Sequence, residues 1–123
     1  MKKIKIIVGK HNFEVNLFDT NTAKLIYESC PIESYVNTWG EEIYFNTNIL
    51  LEKETNAKQI INKGEIAFWV EGSSIAIGFG TTPISIGDEI RLATKVNIFG
   101  HTKYKVSLLT DVKDGDKIFV NKY

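Results

Sequence analysis

The side chains in this sequence best suited to chemistry are Tyr35, Asn37, Trp39, Glu42 and Tyr44, within PIESYVNTWGEEIYF (31–45), and Thr82, within GFGTTP (78–83). Successive side chains of an extended chain point to opposite faces. With Ile43 and Phe45 turned inward, Glu42, Tyr44 and Asn46 face outward and Glu41 faces in. With Ile32 and Val36 inward, Glu33, Tyr35, Asn37 and Trp39 also face outward, and Gly40 marks a bulge or bend between the two runs. The outward set is an aromatic and polar wall of the kind that receives a peptide or small ligand: rigid rings supply area and a few polar groups fix orientation. The same residues have a plainer reading, with Trp39 packed under a loop and the tyrosines covering strand surface. Glu41 and Glu42 are neighbours on a strand, so they point apart and cannot share a proton as an acid–base pair. Glu42 is the better site candidate, and Glu41 fits a carboxylate that caps a turn. The loop 81–89, which carries Thr82, borders the same groove.

Other chemistries find little support. GFGTTP lacks the Gly-Lys-Ser/Thr ending and the following helix start of a phosphate-binding loop. His11 and His101 have no second His or Cys at ligand spacing, so neither a metal nor a cofactor is expected. Cys30, just before Pro31, reads as a small buried residue, and Ser73-Ser74 has no nucleophile-elbow pattern. Fifteen basic and fifteen acidic side chains cancel, which removes the clustered positive charge on which nucleic-acid affinity depends. No stretch approaches the roughly 20 apolar residues of a membrane span. The opening MKKIKIIVGK is too short in its apolar part for a signal peptide, so residence in the cytoplasm is expected.

These residues need a frame, and 123 residues suit a single domain, 1–123. One cysteine excludes an internal disulfide, so the core alone must hold the fold. Apolar residues recur mostly at period two. Ile4, Ile6 and Val8, then Phe13, Val15 and Leu17, flank a turn that includes His11 and predict a hairpin. One helix follows: Asp19, Thr20 or Asn21 caps it, Ala23, Leu25, Ile26 and Cys30 supply its apolar spacing, and Pro31 stops it. Further strands are expected at 32–39, 42–47, 66–70, 75–80, 95–99 and 117–121, with a possible one at 48–53. The segment 55–62 is ambiguous between helical turn and strand, 81–91 reads as a loop, and 106–112 as a short late helical turn. About eight short strands and one early helix in a chain of this size predict a mostly β fold, a closed eight-stranded barrel without exposed edges.

PIESYVNTWGEEIYF, GEIAFW (64–69), GFGTTP, VNIFG (96–100) and the late Asp114-Gly115-Asp116 turn occur in the same order as in a family of small prokaryotic proteins with a cyclophilin-like barrel and no assigned activity. The chain resembles that family over nearly its whole length. The resemblance implies an eight-stranded barrel akin to the peptidyl-prolyl isomerases. Those enzymes carry an arginine in the segment after the first helix, where it stabilises the twisted amide of the transition state. The corresponding stretch 34–45 has no arginine, histidine or glutamine, and Lys3, Lys5 and Arg91 fall outside it. Efficient prolyl isomerisation is therefore not expected. Three readings remain open: a module that binds a peptide or small molecule on the outer wall, an enzyme using Glu42 (a weak isomerase included), and a homo-oligomeric assembly module.

Overall fold

The computed structural model describes residues 2–123. Two alternating strands, β1 (Lys3–Val8) and β2 (His11–Leu17), pair antiparallel from Val8↔His11 to Lys3↔Asn16, about the tight turn at Gly9-Lys10. Ile4, Ile6 and Val8 of β1, with Phe13, Val15 and Leu17 of β2, all point into the barrel. Helix α1 (Asn21–Ser29) starts where the Thr20 hydroxyl accepts the Ala23 N–H at 3.1 Å, and it delivers Ala23 and Ile26 to the same core.

Beyond the helix come β3 (Ile32–Tyr35), β4 (Asn37–Thr38), β5 (Glu42–Asn46), β6 (Lys58–Ile61), β7 (Glu65–Trp69), β8 (Ser74–Gly78), β9 (Ile90–His101) and β10 (Lys117–Lys122), with a 3-10 turn at Val106–Asp111. The order around the sheet is β3-β10-β1-β2-β9-β7-β8-β5-β4. Its two ends, β3 and β4, are halves of one extended run divided at Val36, so the antiparallel wall nearly closes on itself. Val36 is held between them by its N–H on the Asp116 carbonyl at 2.9 Å and by its own carbonyl, which accepts Gly115 N–H at 2.8 Å. The wall therefore counts nine strands along its path where eight were expected, because Val36 breaks the run, and β6 adds to the outside of β9. Inside lie Phe45, Phe68, Phe99 and a set of isoleucines with no exposed surface. Each such side chain stabilises the fold by roughly 1.5–3 kcal/mol on burial.

The barrel has a second, outer core. β9 begins at Ile90, five residues before the expected start, because its first part pairs with β6 through Ile61↔Ile90 and Ile60↔Arg91. The ambiguous segment 55–62 thus holds a turn at 55–56 followed by the strand β6 over Lys58–Ile61. Together β6 and the start of β9 lie over the outer face of β7 and β8, where Ala67 and Ala76 pack with Ile61, Ile90, Leu92 and Val96. Gly78 is part of that closure: a Cβ there would stand 2.5 Å from the Ile90 side chain. β8 is consequently buried on both faces. The segment 48–53 is not a strand. Asn48 takes a left-handed φ of 63°, and the chain beyond it is held by the buried Asn97, whose amide accepts Glu54 N–H at 2.8 Å and donates to the Glu52 carbonyl at 3.0 Å. His11 lies in β2 rather than in the turn, buried between the Tyr104 hydroxyl at 2.7 Å and an Asp111 carboxylate oxygen at 2.6 Å.

Candidate functional site

Cross-strand register builds the site. Tyr44 of β5 stands opposite Ala76 of β8, which in turn stands opposite Ala67 of β7, so the rows outside the barrel are small beneath one large ring. Glu42 sits one row away, opposite Gly78, and Trp69 is opposite Ser74 on the other side. Trp39 reaches the same place from the turn at Gly40 (φ +60°), where its N–H donates to the Glu42 carbonyl at 3.0 Å. The outer cover formed by β9 brings Leu92, Ala93 and Val96 over these residues. The result is a cavity of about 180 Å³ lined by Trp39, Glu42, Tyr44, Trp69, Leu92, Ala93 and Val96.

Two of the rings are fixed before anything enters. Tyr44 and Trp69 meet edge to face, centroids 5.7 Å apart at 84°. The Trp69 indole N–H donates to Thr94 Oγ1 at 3.0 Å, Thr94 donates to Glu71 Oε1 at 3.0 Å, and Glu71 holds Lys53 at 2.7 Å. Gly72 lets the indole lie against the backbone, since a Cβ there would stand 2.2 Å from Trp69 Cε3.

Glu42 is the unusual member. It is 5% exposed; among the described residues no donor hydrogen-bonds its carboxyl group, whose oxygens keep contact with solvent through the recess. Burial alone pushes its pKa up, to about 7. No cation lines the cavity, and Lys53, Lys58 and Arg91 pair with other carboxylates: Lys53 with Glu71 at 2.7 Å, Lys58 with Glu65 at 2.9 Å, and Arg91 with Glu89 at 2.6 Å. A carboxyl that exchanges its proton near neutrality, in a ring-lined recess, can act as counter-ion or as general acid–base.

Of the six residues expected to form the site, the structure gathers Trp39, Glu42 and Tyr44. Tyr35 is 57% exposed on the far side of the turn, beside the Lys117 ammonium at 6.0 Å. Asn37 is exposed in β4 opposite Tyr44, outside the cavity lining. Thr82 is buried and satisfied within its loop, its hydroxyl donating to the Arg91 carbonyl and its N–H to Ser85 Oγ at 2.9 Å. Glu41, expected to face inward, is exposed instead, because the bend at Gly40 resets the alternation; its carboxylate accepts Thr81 N–H at 3.2 Å and so ties the turn to the loop. Trp69, Leu92, Ala93 and Val96 were missed as site residues. The available signal was the small outward pair Ala67 and Ala76, whose size leaves room for a covering strand.

This nearly closed antiparallel barrel, with one early helix and a recess on its outer wall, defines a cyclophilin-like protein. The chain belongs to the cyclophilin-like family, whose model matches residues 2–121. The solution structure of the hypothetical protein AF2241 from Archaeoglobus fulgidus is similar throughout, with a TM-score of 0.83 and 34% identity over 99% of this chain and 95% of that one. A second solved structure, McbB in complex with tryptophan, shares the fold at a TM-score of 0.63 and 14% identity, over 96% of this chain and 44% of McbB. Among curated proteins, none matches this sequence.

Proposed function

We propose that the protein is a binding module that takes a small molecule, or one side chain of a peptide, into the outer-wall cavity around Glu42, without efficient prolyl isomerisation. The observation that carries this reading is a largely buried carboxyl group without a protein partner, beside the interlocked Tyr44 and Trp69 rings in a recess lined also by Trp39. Size narrows the occupant. Drug-sized ligands fill roughly 300–1,000 Å³, whereas an apolar cavity of about 150 Å³ takes a single benzene ring. A cavity of about 180 Å³ therefore suits one ring or one compact head group, not a nucleotide or other large cofactor. That a protein of the same fold is known with tryptophan bound accords with a small occupant.

The isomerase reaction needs a donor poised over the twisted amide. Arg91 is turned to Glu89 at 2.6 Å, and Lys3 and Lys5 lie near the Tyr123 ring at 5.7 and 5.0 Å, so none of the three lines the cavity. A second reading, an enzyme that uses Glu42 as acid or base, draws support from the carboxyl's pKa near neutrality.

The test is direct, because the chain has two tryptophans and both line the cavity. Intrinsic fluorescence is therefore a reporter of this site. A panel of small amines, alcohols, amino acids and proline-containing peptides is expected to include members that shift the emission at millimolar concentration. No response from any member contradicts the binding reading. A protease-coupled isomerisation assay is expected to give the uncatalysed rate, and clear acceleration contradicts that part.

A further inference from the structure

Resting on that reading of the cavity as a binding site, we infer that its occupant presents an organic ammonium group, with the Glu42 carboxylate as counter-ion and Trp39, Tyr44 and Trp69 lining the space around the alkyl surface.

A carboxylate that is largely desolvated and has no partner in the protein is destabilised relative to one that is paired, and Glu42 meets water only through the recess. No cation acts on Glu42, and Lys53, Lys58 and Arg91 are each held by another carboxylate, Glu71, Glu65 and Glu89. Nothing in the cavity lining supplies the missing positive charge, so a cationic occupant offsets what the free protein leaves uncompensated. Aromatic faces attract ammonium groups through the ring quadrupole, and cages of several rings are a recurring solution for alkylated ammonium ions. Here the lining provides three rings and one acidic group, and the Thr94–Glu71–Lys53 chain locks one of those rings in place. An anionic occupant would face Glu42 directly. Volume agrees: at about 30 Å³ per water, the cavity holds about six water-sized groups, enough for a nitrogen with its methyl groups or for the end of a lysine side chain.

Tyr44 is the one other ionisable side chain in the lining, the contributions of β7 and β9 being Trp69, Leu92, Ala93 and Val96. The pH response of binding should therefore follow Glu42, through the carboxyl that burial holds near 7.

The experiment is a fluorescence titration of the intact chain with choline and with its uncharged shape analogue 3,3-dimethyl-1-butanol, at pH 5.5 and pH 8.5. Choline carries a fixed charge, so any pH effect arises in the protein. Choline is expected to bind at least about tenfold more tightly than the alcohol at pH 8.5 and to weaken about 30-fold at pH 5.5, where only a few per cent of Glu42 is ionised. The alcohol is expected to bind alike at both. Glu42→Gln is expected to abolish the preference for choline while keeping affinity for the alcohol. Butylamine and N-acetyl-lysine methylamide separate a free amine from a lysine within a peptide; binding of either supports the ammonium class. Equal, pH-independent binding of choline and the alcohol overturns the inference and leaves the binding site standing. A preference for choline that survives in Glu42→Gln overturns it too. Silence from every ammonium compound overturns the inference, and the binding reading falls with it only if the wider panel of amino acids and peptides is silent too.

Discussion

Replacing Glu42 with Gln should leave the protein nearly as stable near pH 4 and make it more stable above pH 7. The folded protein holds the Glu42 carboxyl at about 7 against an ordinary value of 4.5, and desolvation is the cause. Below pH 4.5 the group is protonated in both folded and unfolded chains and contributes no difference. Between 4.5 and 7 the unfolded chain releases the proton while the folded chain keeps it, so unfolding is progressively favoured as pH rises. Above 7 both are ionised, and the penalty is complete. At about 1.36 kcal/mol per pKa unit this amounts to about 3 kcal/mol. Gln has nearly the same shape and no charge to desolvate, so the variant escapes the penalty. Urea denaturation of both proteins from pH 4 to 8.5 would measure it. The variant's advantage should grow across the window from 4.5 to 7, reaching about 3 kcal/mol, or roughly 10 °C in Tm for a chain of this length. Parallel stability curves for the two proteins across that window, or a variant less stable than the parent at pH 8, would refute the reasoning.

Gly72→Ala should displace the Trp69 indole, since the new methyl would stand 2.2 Å from its ring; a loss of about 1–3 kcal/mol and a shifted tryptophan emission are expected. An unchanged spectrum counts against the described packing. Asn97→Ala removes the acceptor of Glu54 N–H and the donor to the Glu52 carbonyl inside a fully buried site, for an expected loss of about 2–3 kcal/mol with faster hydrogen exchange at Glu54. Tyr35→Ala and Asn37→Ala, both outside the cavity, should change stability by no more than about 0.5 kcal/mol and leave choline binding as it is. A marked loss of binding in either would enlarge the site beyond the cavity.

Much of the barrel is legible in the residues alone because one face of each inner strand is buried and the alternation is clean. Ile4, Ile6 and Val8 against Phe13, Val15 and Leu17 give the first hairpin, and Thr20 with Pro31 brackets the helix. What alternation could not give is the second layer. β8 is buried on both faces, so Ile75-Ala76-Ile77 shows no polar side from which to infer an outer cover. The start of β9 was hidden because Ile90 and Leu92 gain their partners from β6, a pairing between segments thirty residues apart that no local pattern records. The site shows the same division. Trp39, Glu42 and Tyr44 lie in one short run and could be grouped by alternation within each half once Gly40 was read as a bend between them, whereas Trp69, Leu92 and Val96 arrive through tertiary register. Glu42 was expected to face solvent on the outer wall, and its burial follows from the cover that hides it.

Selective 13C labelling of glutamate carboxyl carbons, followed by NMR from pH 3 to 9, reads the Glu42 ionisation itself, with Glu42→Gln supplying the assignment. A midpoint near 7 that falls when choline is added is the result this account predicts. A midpoint near 4.5, or one that choline does not move, would contradict it.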